Sequence, residues 1–274
     1  MYLSEKFLSI SPSPTLSIDA KFKQMKKDGL DVVGFGAGEP DFDTPKHIKD
    51  AAIKAILEGK TKYTPASGMP ELKKAVCKKF MRDNSLYYEP NQIVVSNGAK
   101  HSLVNVFGAI LNEGDEVIIP APYWVSYPEM VKINSGVPVT VYASEDNDFK
   151  VTPEQIEEKI TEKTRAIVIN SPSNPTGMVY TKAELEKIAE IALKHNLYIV
   201  SDEIYEHLIY EGKHFSVAQI SEEVKDITII VNGVSKTYAM TGWRIGYTAS
   251  NPTIAKIMSN VQSHATSNPN TIAQ

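Results

Sequence analysis

Lys236 stands just past the apolar run ITIIVN (227 to 232), among small residues, and Arg244 follows it in SKTYAMTGWRIGY. A lysine at a strand end is ordinarily a solvated cap, since most lysines stay exposed, so other residues must decide whether this one does chemistry. After LYIVS come Asp202 and Tyr205, in SDEIYE; after RAIVIN comes SPSNPTG, with Asn174-Pro175 and Thr176-Gly177 forming a rigid double turn. An unpaired carboxylate at a buried strand end is costly, so Asp202 is expected to face a cation. After QIVVS, Asn97-Gly98-Ala99-Lys100 opens a helix whose first N–H groups can hold an anion. An ordinary helix start accounts for NGAK alone, whereas a plain loop does not explain the amide presented between two prolines in SPSNPTG. Together the segments offer an amine for covalent catalysis, a carboxylate, a phenol, an amide and an anion site.

The elements that would position these groups follow from hydrophobic patterning. Strands are predicted at 92–97, 116–120, 137–142, 165–170, 197–203, 227–232 and 243–249, and helices at 17–28, 99–111, 124–135, 153–160 and 181–195. The last helix opens on Thr181 with Glu184 three residues later, a capping-box signature. Strands apolar along nearly their whole length are covered on both faces, which predicts a three-layer α/β/α domain around a mostly parallel seven-stranded sheet. In such sheets ligands lie beyond the carboxyl ends of the strands, where the polar residues above are found. Residues 1–45, with SPSPT and the Gly- and Pro-rich GFGAGEPDFDTP, are assigned to an arm and part of a smaller lobe, and residues 46–274 to the large domain.

Composition narrows the classes. The chain has 274 residues, 42% apolar and 23% charged, with a formal net charge of -4. These values fit a soluble globular protein and offer no basic patch for nucleic acid or anionic lipid. Cys77 is the only cysteine, so no intrachain disulfide and no cysteine metal cluster is expected, and a reducing, cytoplasmic setting fits best. The start MYLSEKFLSISPSP lacks the apolar core of a signal peptide, and no apolar run is long enough for a membrane span.

One cofactor uses the whole set. Pyridoxal phosphate needs a lysine for a Schiff base, a carboxylate for its ring nitrogen, donors for its phenolate oxygen and an anion site for its phosphate. The segments SNPTG, SDEIYE and SKTYAMTGWRIGY, with GEPDFDTP, KYTPASG and PYWVSYPEM in the family's order, resemble the fold-type I aminotransferases, in particular the bacterial aspartate aminotransferase branch. The resemblance runs across essentially the whole chain. It implies that Lys236 bonds the cofactor and moves the substrate proton, with cationic neighbours lowering its pKa. It implies that Asp202 keeps the ring nitrogen protonated, that Tyr205 and Asn174 donate to the phenolate oxygen, and that Arg244 with the N–H groups of Ala99 and Lys100 holds the phosphate. Gly233 stands where some relatives have a phosphate-binding serine, for which Ser235 can substitute. Trp124 resembles the aromatic stacked on the ring. Tyr63 resembles a residue that reaches the neighbouring subunit's cofactor phosphate, implying a homodimer with shared sites, and Ser267 to Thr271 resembles part of that interface.

For the substrates, an amino acid and a 2-oxo acid, the resemblance implies that Gly38 approaches the α-carboxylate through its backbone. One branch uses an arginine for the distal carboxylate, but that position is Ser263 here. The other branch implies Lys100 with Ser13 and Thr15, and so aspartate and 2-oxoglutarate, with prephenate, glutamate or an aromatic amino acid as alternatives. Family members continue for roughly another hundred residues, a domain-sized portion that supplies the arginine for the α-carboxylate. The chain, with only Arg82, Arg165 and Arg244, is therefore expected to be a fragment ending at TIAQ in a helix. A truncated product that holds cofactor without transaminating, and a lyase using the same lysine, are the other readings.

Overall fold

All seven expected strands form and join one sheet in the computed structural model, which describes residues 2–36 and 38–274. They are β1 (Ile93–Ser96), β2 (Glu116–Ala121), β3 (Val137–Tyr142), β4 (Thr164–Asn170), β5 (Tyr198–Asp202), β6 (Thr228–Gly233) and β7 (Gly246–Ala249). Their order is β1-β7-β6-β5-β4-β2-β3. Every pairing is parallel except those of β7, which runs antiparallel to β1 and β6. Strands β1, β6 and β7 are buried at every residue, which is why they read as unbroken apolar runs. The seventh strand begins later than expected. Thr241–Trp243 form a tight helical turn and Arg244 takes a left-handed backbone with φ 58°, so the extended chain starts only at Gly246.

The helices are α1 (Glu5–Leu8), α2 (Pro14–Lys27), α3 (Lys46–Leu57), α4 (Pro70–Asn84), α5 (Ala99–Ile110), α6 (Ser126–Ile133), α7 (Pro153–Glu157), α8 (Lys182–Lys194), α9 (Glu222–Ile227) and α10 (Pro252–Ala265). On one face of the sheet Leu103 and Phe107 of α5, Tyr127 and Met130 of α6 and Met258 of α10 pack together. On the other lie Ile156 of α7, Leu185 and Ile188 of α8 and Val224 of α9. A third cluster joins Val76 and Phe80 of α4 to Tyr88 and Tyr247. Each such side chain, fully buried, contributes about 1.5 to 3 kcal/mol. The predicted capping box of α8 is present: Thr181 N–H donates to Glu184 Oε2 at 2.6 Å and Glu184 N–H to Thr181 Oγ1 at 3.3 Å.

Helices α1 and α2 bury no residue. The arm is strapped to α6 instead: Ser11 N–H donates to Glu129 Oε2 at 3.1 Å, and Lys132 Nζ donates to the Ser9 carbonyl at 3.2 Å. The GEPDFDTP segment is tied to the strand-end loop after β6, through Thr241 Oγ1 donating to Glu39 Oε2 at 2.9 Å and Trp243 Nε1 to Thr44 Oγ1 at 3.1 Å.

The helix expected at TIAQ does not form. Past α10 the chain turns at Ser267, with φ 63°, and Asn270 caps the last residues: its Oδ1 accepts from Ala273 N–H at 2.9 Å. Pro269 and the short polar side chains favour this local turn over a helix. The turn packs beside KYTPASG, with Thr271 Oγ1 donating to the Lys62 carbonyl at 2.8 Å and Gln274 Nε2 to Thr64 Oγ1 at 3.1 Å. Among the described residues no helix is long and apolar enough to cross a membrane.

Candidate active site

A cavity of about 550 Å³ opens at the carboxyl ends of β4, β5 and β6 and beside the start of α5. Asp202, the last residue of β5, forms its floor and is 3% exposed. The cation expected to face it is not supplied by any of the described residues. Its Oδ2 accepts from the Tyr127 hydroxyl at 2.7 Å and its Oδ1 from Ile204 N–H at 3.3 Å. Burial raises the carboxyl pKa from 3.8 to about 6, against the lowering effect of those two donors, and Glu203 adds to the rise. Tyr127 is a site residue not foreseen from sequence. Its signal lay inside PYWVSYPEM, one helical turn beyond Trp124, and only the seating of α6 against β5 shows it.

Tyr205 lies in the turn after β5 and Asn174 in the loop after β4. Asn174 Nδ2 donates to the Tyr205 hydroxyl oxygen at 3.3 Å, which leaves the phenolic hydrogen free to donate into the cavity. Asn170, also not foreseen, joins the two loops: its Nδ2 donates to the Asp202 carbonyl at 3.0 Å, and its Oδ1 accepts from Asn174 N–H at 2.7 Å. Lys236 Nζ sits 5.7 Å from the Tyr205 ring centroid and donates to the Gly38 carbonyl. Burial is the main cause of its lowered pKa; Glu39 opposes the shift and Arg244 reinforces it. The small residues around Lys236 therefore do not leave it fully open, and a cationic neighbour is the lesser cause of the depression.

The anion site is a close meeting of backbones. Gly98 has φ 86°, and a Cβ placed there would lie 2.3 Å from Arg244 Nη2. A Cβ on Gly246 would lie 2.2 Å from the Ala99 nitrogen. No side chain fits between β7 and the start of α5, so the Arg244 guanidinium sits against the first turn, where the N–H groups of Ala99 and Lys100 have no acceptor within the helix. Arg244 is held by the Thr241 carbonyl at 2.9 Å. Ser235 lines the cavity at 8% exposure, whereas a Cβ at Gly233 would meet the Ile245 carbonyl oxygen at 2.9 Å, so a serine there has no room without a shift.

On the outer side, Trp124 stands edge to face with Tyr127, their ring centroids 5.4 Å apart, and Lys100 Nζ lies 4.9 Å over the Trp124 ring. Burial, then Arg244, lowers the Lys100 pKa. The arm brings Ser13 and Thr15 to the same cavity, together with Gly38. Tyr63 is outside it, 91% exposed. Arg82 pairs with Asp83 at 2.5 Å and Arg165 with Asp115 at 3.2 Å, so Arg244 is the one arginine lining the cavity among the described residues. Ser263 is exposed on α10 and does not line it.

The residues present fit pyridoxal phosphate. A buried carboxylate without a cationic partner suits a protonated ring nitrogen, the free phenolic hydrogen of Tyr205 suits a phenolate oxygen, and the Gly98, Ala99 and Arg244 cradle suits a phosphate. Fold and cavity together define a three-layer α/β enzyme with its ligand cavity at the carboxyl ends of the strands. More particularly, the chain belongs to the family described as aminotransferase class I and II, whose model matches residues 30–274. It is 60% identical over 273 residues to an aspartate aminotransferase of Bacillus sp. (strain YM-2), covering 99% of this chain and 70% of that one. It is 57% identical to the aspartate aminotransferase of Bacillus subtilis (strain 168), again over 70% of that chain. The solved aspartate aminotransferase from Thermus thermophilus with maleate superposes with a TM-score of 0.97 at 48% identity, covering 100% of this chain and 71% of that one.

Proposed function

We propose that this aminotransferase carries pyridoxal phosphate on Lys236 and transfers the amino group of aspartate to 2-oxoglutarate, giving oxaloacetate and glutamate. The observation that supports it most is the floor of the cavity: a fully buried Asp202 whose donors are neutral, beneath a half-buried lysine amine. When bound, the cofactor supplies an electron sink for the carbon that loses its proton.

The residues of the chain do the rest. Asp202 would hold the ring nitrogen protonated and stay ionised beside it. Tyr205, oriented by Asn174, donates to the phenolate oxygen, and Trp124 covers the ring face. Arg244, Ser235 and the first N–H groups of α5 grip the phosphate. Lys236 would leave the Gly38 carbonyl to hold the cofactor, and its amine, whose pKa burial lowers, would move the proton at the substrate α-carbon. Lys100 receives the distal carboxylate, with Ser13 and Thr15 donating from the arm, and the backbone at Gly38 faces the α-carboxylate.

Residues 1–45 act as the arm over a large domain that spans 46–274. Tyr63 projects into solvent between two anchored neighbours, which supports the reading that it reaches the phosphate of a second subunit in a homodimer with shared sites. The lone half-buried cysteine fits a cytoplasmic setting.

Adding pyridoxal phosphate should give the visible absorbance of lysine-bound cofactor in the wild-type chain and none in Lys236→Ala. Borohydride reduction followed by peptide mapping should place the cofactor on Lys236, and attachment to another lysine would overturn the assignment. Coupled detection of oxaloacetate tests the substrate pair, and keto acid released with ammonia would point to a lyase.

A further inference from the structure

The back of the turn after β5 carries two carboxylates that face away from the cavity, Glu203 at 0% and Glu206 at 6% exposure. Glu203 is held within its own surroundings, accepting from Ser201 Oγ at 2.8 Å and Ser216 Oγ at 2.6 Å and pairing with His214 Nε2 at 3.0 Å. Glu206 reaches further. Its Oε1 accepts from Asn232 Nδ2 at 2.8 Å and pairs with Lys79 of α4, and its Oε2 accepts from Asn84 Nδ2 at 3.2 Å. Asn232 is the next-to-last residue of β6, and its own Oδ1 accepts from Gly233 N–H at 2.7 Å.

This carboxylate therefore connects two strand ends. It belongs to the turn that carries Tyr205, closed by Glu206 N–H donating to the Glu203 carbonyl at 3.0 Å and by Leu208 N–H donating to the Tyr205 carbonyl at 2.7 Å. It bonds the strand that delivers Lys236, whose Nζ lies 5.7 Å from the Tyr205 ring. Burying a charge and its partner is costly, and an apolar filling of the same volume is often at least as stable. The polar arrangement gives what an apolar one lacks: a directional bond that sets one strand end against the other.

We infer that Glu206 is a positioning residue, whose bond to Asn232 fixes the spacing between the Tyr205 hydroxyl and the Lys236 amine. The inference rests on the reading that Lys236 carries the cofactor. Tyr205, as a donor to the ring oxygen, favours the deprotonated form of the lysine-bound cofactor. Loosening its position should raise the pH midpoint of the visible absorbance change.

The test uses the chain loaded with pyridoxal phosphate, with kcat and KM read in a form competent for turnover. Glu206→Ala and Asn232→Ala cut the same bond from its two sides, and Val76→Ala in the α4 core serves as a control for lost stability. Both cutting variants should raise the absorbance midpoint and lower kcat by roughly tenfold, within the 100-fold that a 1 Å misplacement can cost, with KM for aspartate little changed. Val76→Ala should lower the melting temperature and leave the midpoint alone. A wild-type midpoint in whichever cutting variant folds, with only its melting temperature lowered, would show that the network is structural and overturn the inference. A wild-type chain with no lysine-bound absorbance would overturn the functional reading itself, and this inference with it.

Discussion

The Tyr127 hydroxyl donates to Asp202 Oδ2 at 2.7 Å, and both side chains are buried beneath the cavity. A phenol this deep, with its pKa pushed well up by burial and then by Asp202, stays neutral and donates. It stabilises the carboxylate without neutralising it. The floor is thus a negative charge kept partly uncompensated, at a cost to the chain without cofactor.

That cost should be measurable as a pH dependence. The Asp202 carboxyl is raised from 3.8 to about 6 on folding, so the folded chain binds more protons than the unfolded one between those values. Stability contributed by this group is lost as pH rises through that window, by an amount on the order of 3 kcal/mol. Asp202→Asn should therefore melt higher than wild type in cofactor-free chains at pH 7.5, with a smaller gap at pH 5. Loading with pyridoxal phosphate should reverse the order at pH 7.5. An unchanged gap between the two pH values would show that Asp202 is not the responsible charge.

Tyr127→Phe removes the donor and leaves the ring. The loss of a hydrogen bond to a charged group costs roughly 1.5 to 3 kcal/mol, felt only when Asp202 is ionised. The bound ring nitrogen would keep the carboxylate ionised throughout, whereas cofactor-free Asp202 takes up a proton more readily once the Tyr127 donor is gone, so cofactor dissociation constants measured across pH 5 to 8 should rise more at the lower end. A uniform rise would place the effect in packing against Trp124.

Lys100→Ala should raise KM for aspartate by roughly tenfold or more, since one charge-assisted contact is worth about 1.5 to 3 kcal/mol, while KM for an uncharged amino acid changes little. Steady-state kinetics on both substrates, in a chain competent for turnover, decides this. Equal losses would make Lys100 a support for Trp124, over which it lies.

Gly246→Ala forces a methyl group to within 2.2 Å of the Ala99 nitrogen. The start of α5 or strand β7 must move, and overpacking of this kind costs about 1 to 3 kcal/mol. The affinity for pyridoxal phosphate should fall more than that for pyridoxal, because the displaced groups serve the phosphate. Titrating both ligands into the cofactor-free variant checks the ratio.

Much of this architecture is legible in the sequence. The strands could be found because burial on both faces leaves unbroken apolar runs, and the residues just past them could be grouped because such sheets gather ligands at one edge. What stayed hidden depends on distant packing. Helices α1, α3, α4, α9 and α10 lay outside the expected set, and α1 and α3 bury none of their residues. Tyr127 and Asn170 became site residues only through their partners on β5. Burial argues for a cation at Asp202, but among the described residues none provides it. Lys79 and Glu206 meet across most of the large domain, and no local spacing announces such a pair.

Strand β7 runs backwards between β1 and β6, so its beginning meets the finishing ends of both neighbours. Arg244, just before it, is thereby set against Ala99, just after β1, with Lys236 a few residues past β6. This handle for the phosphate does not exist until the late strand has slotted between two earlier ones. A ligand that binds only the finished form stabilises it by mass action. On the proposed function, cofactor capture would then also be an inspection step, retaining copies whose last strand is seated and passing over those still missing it.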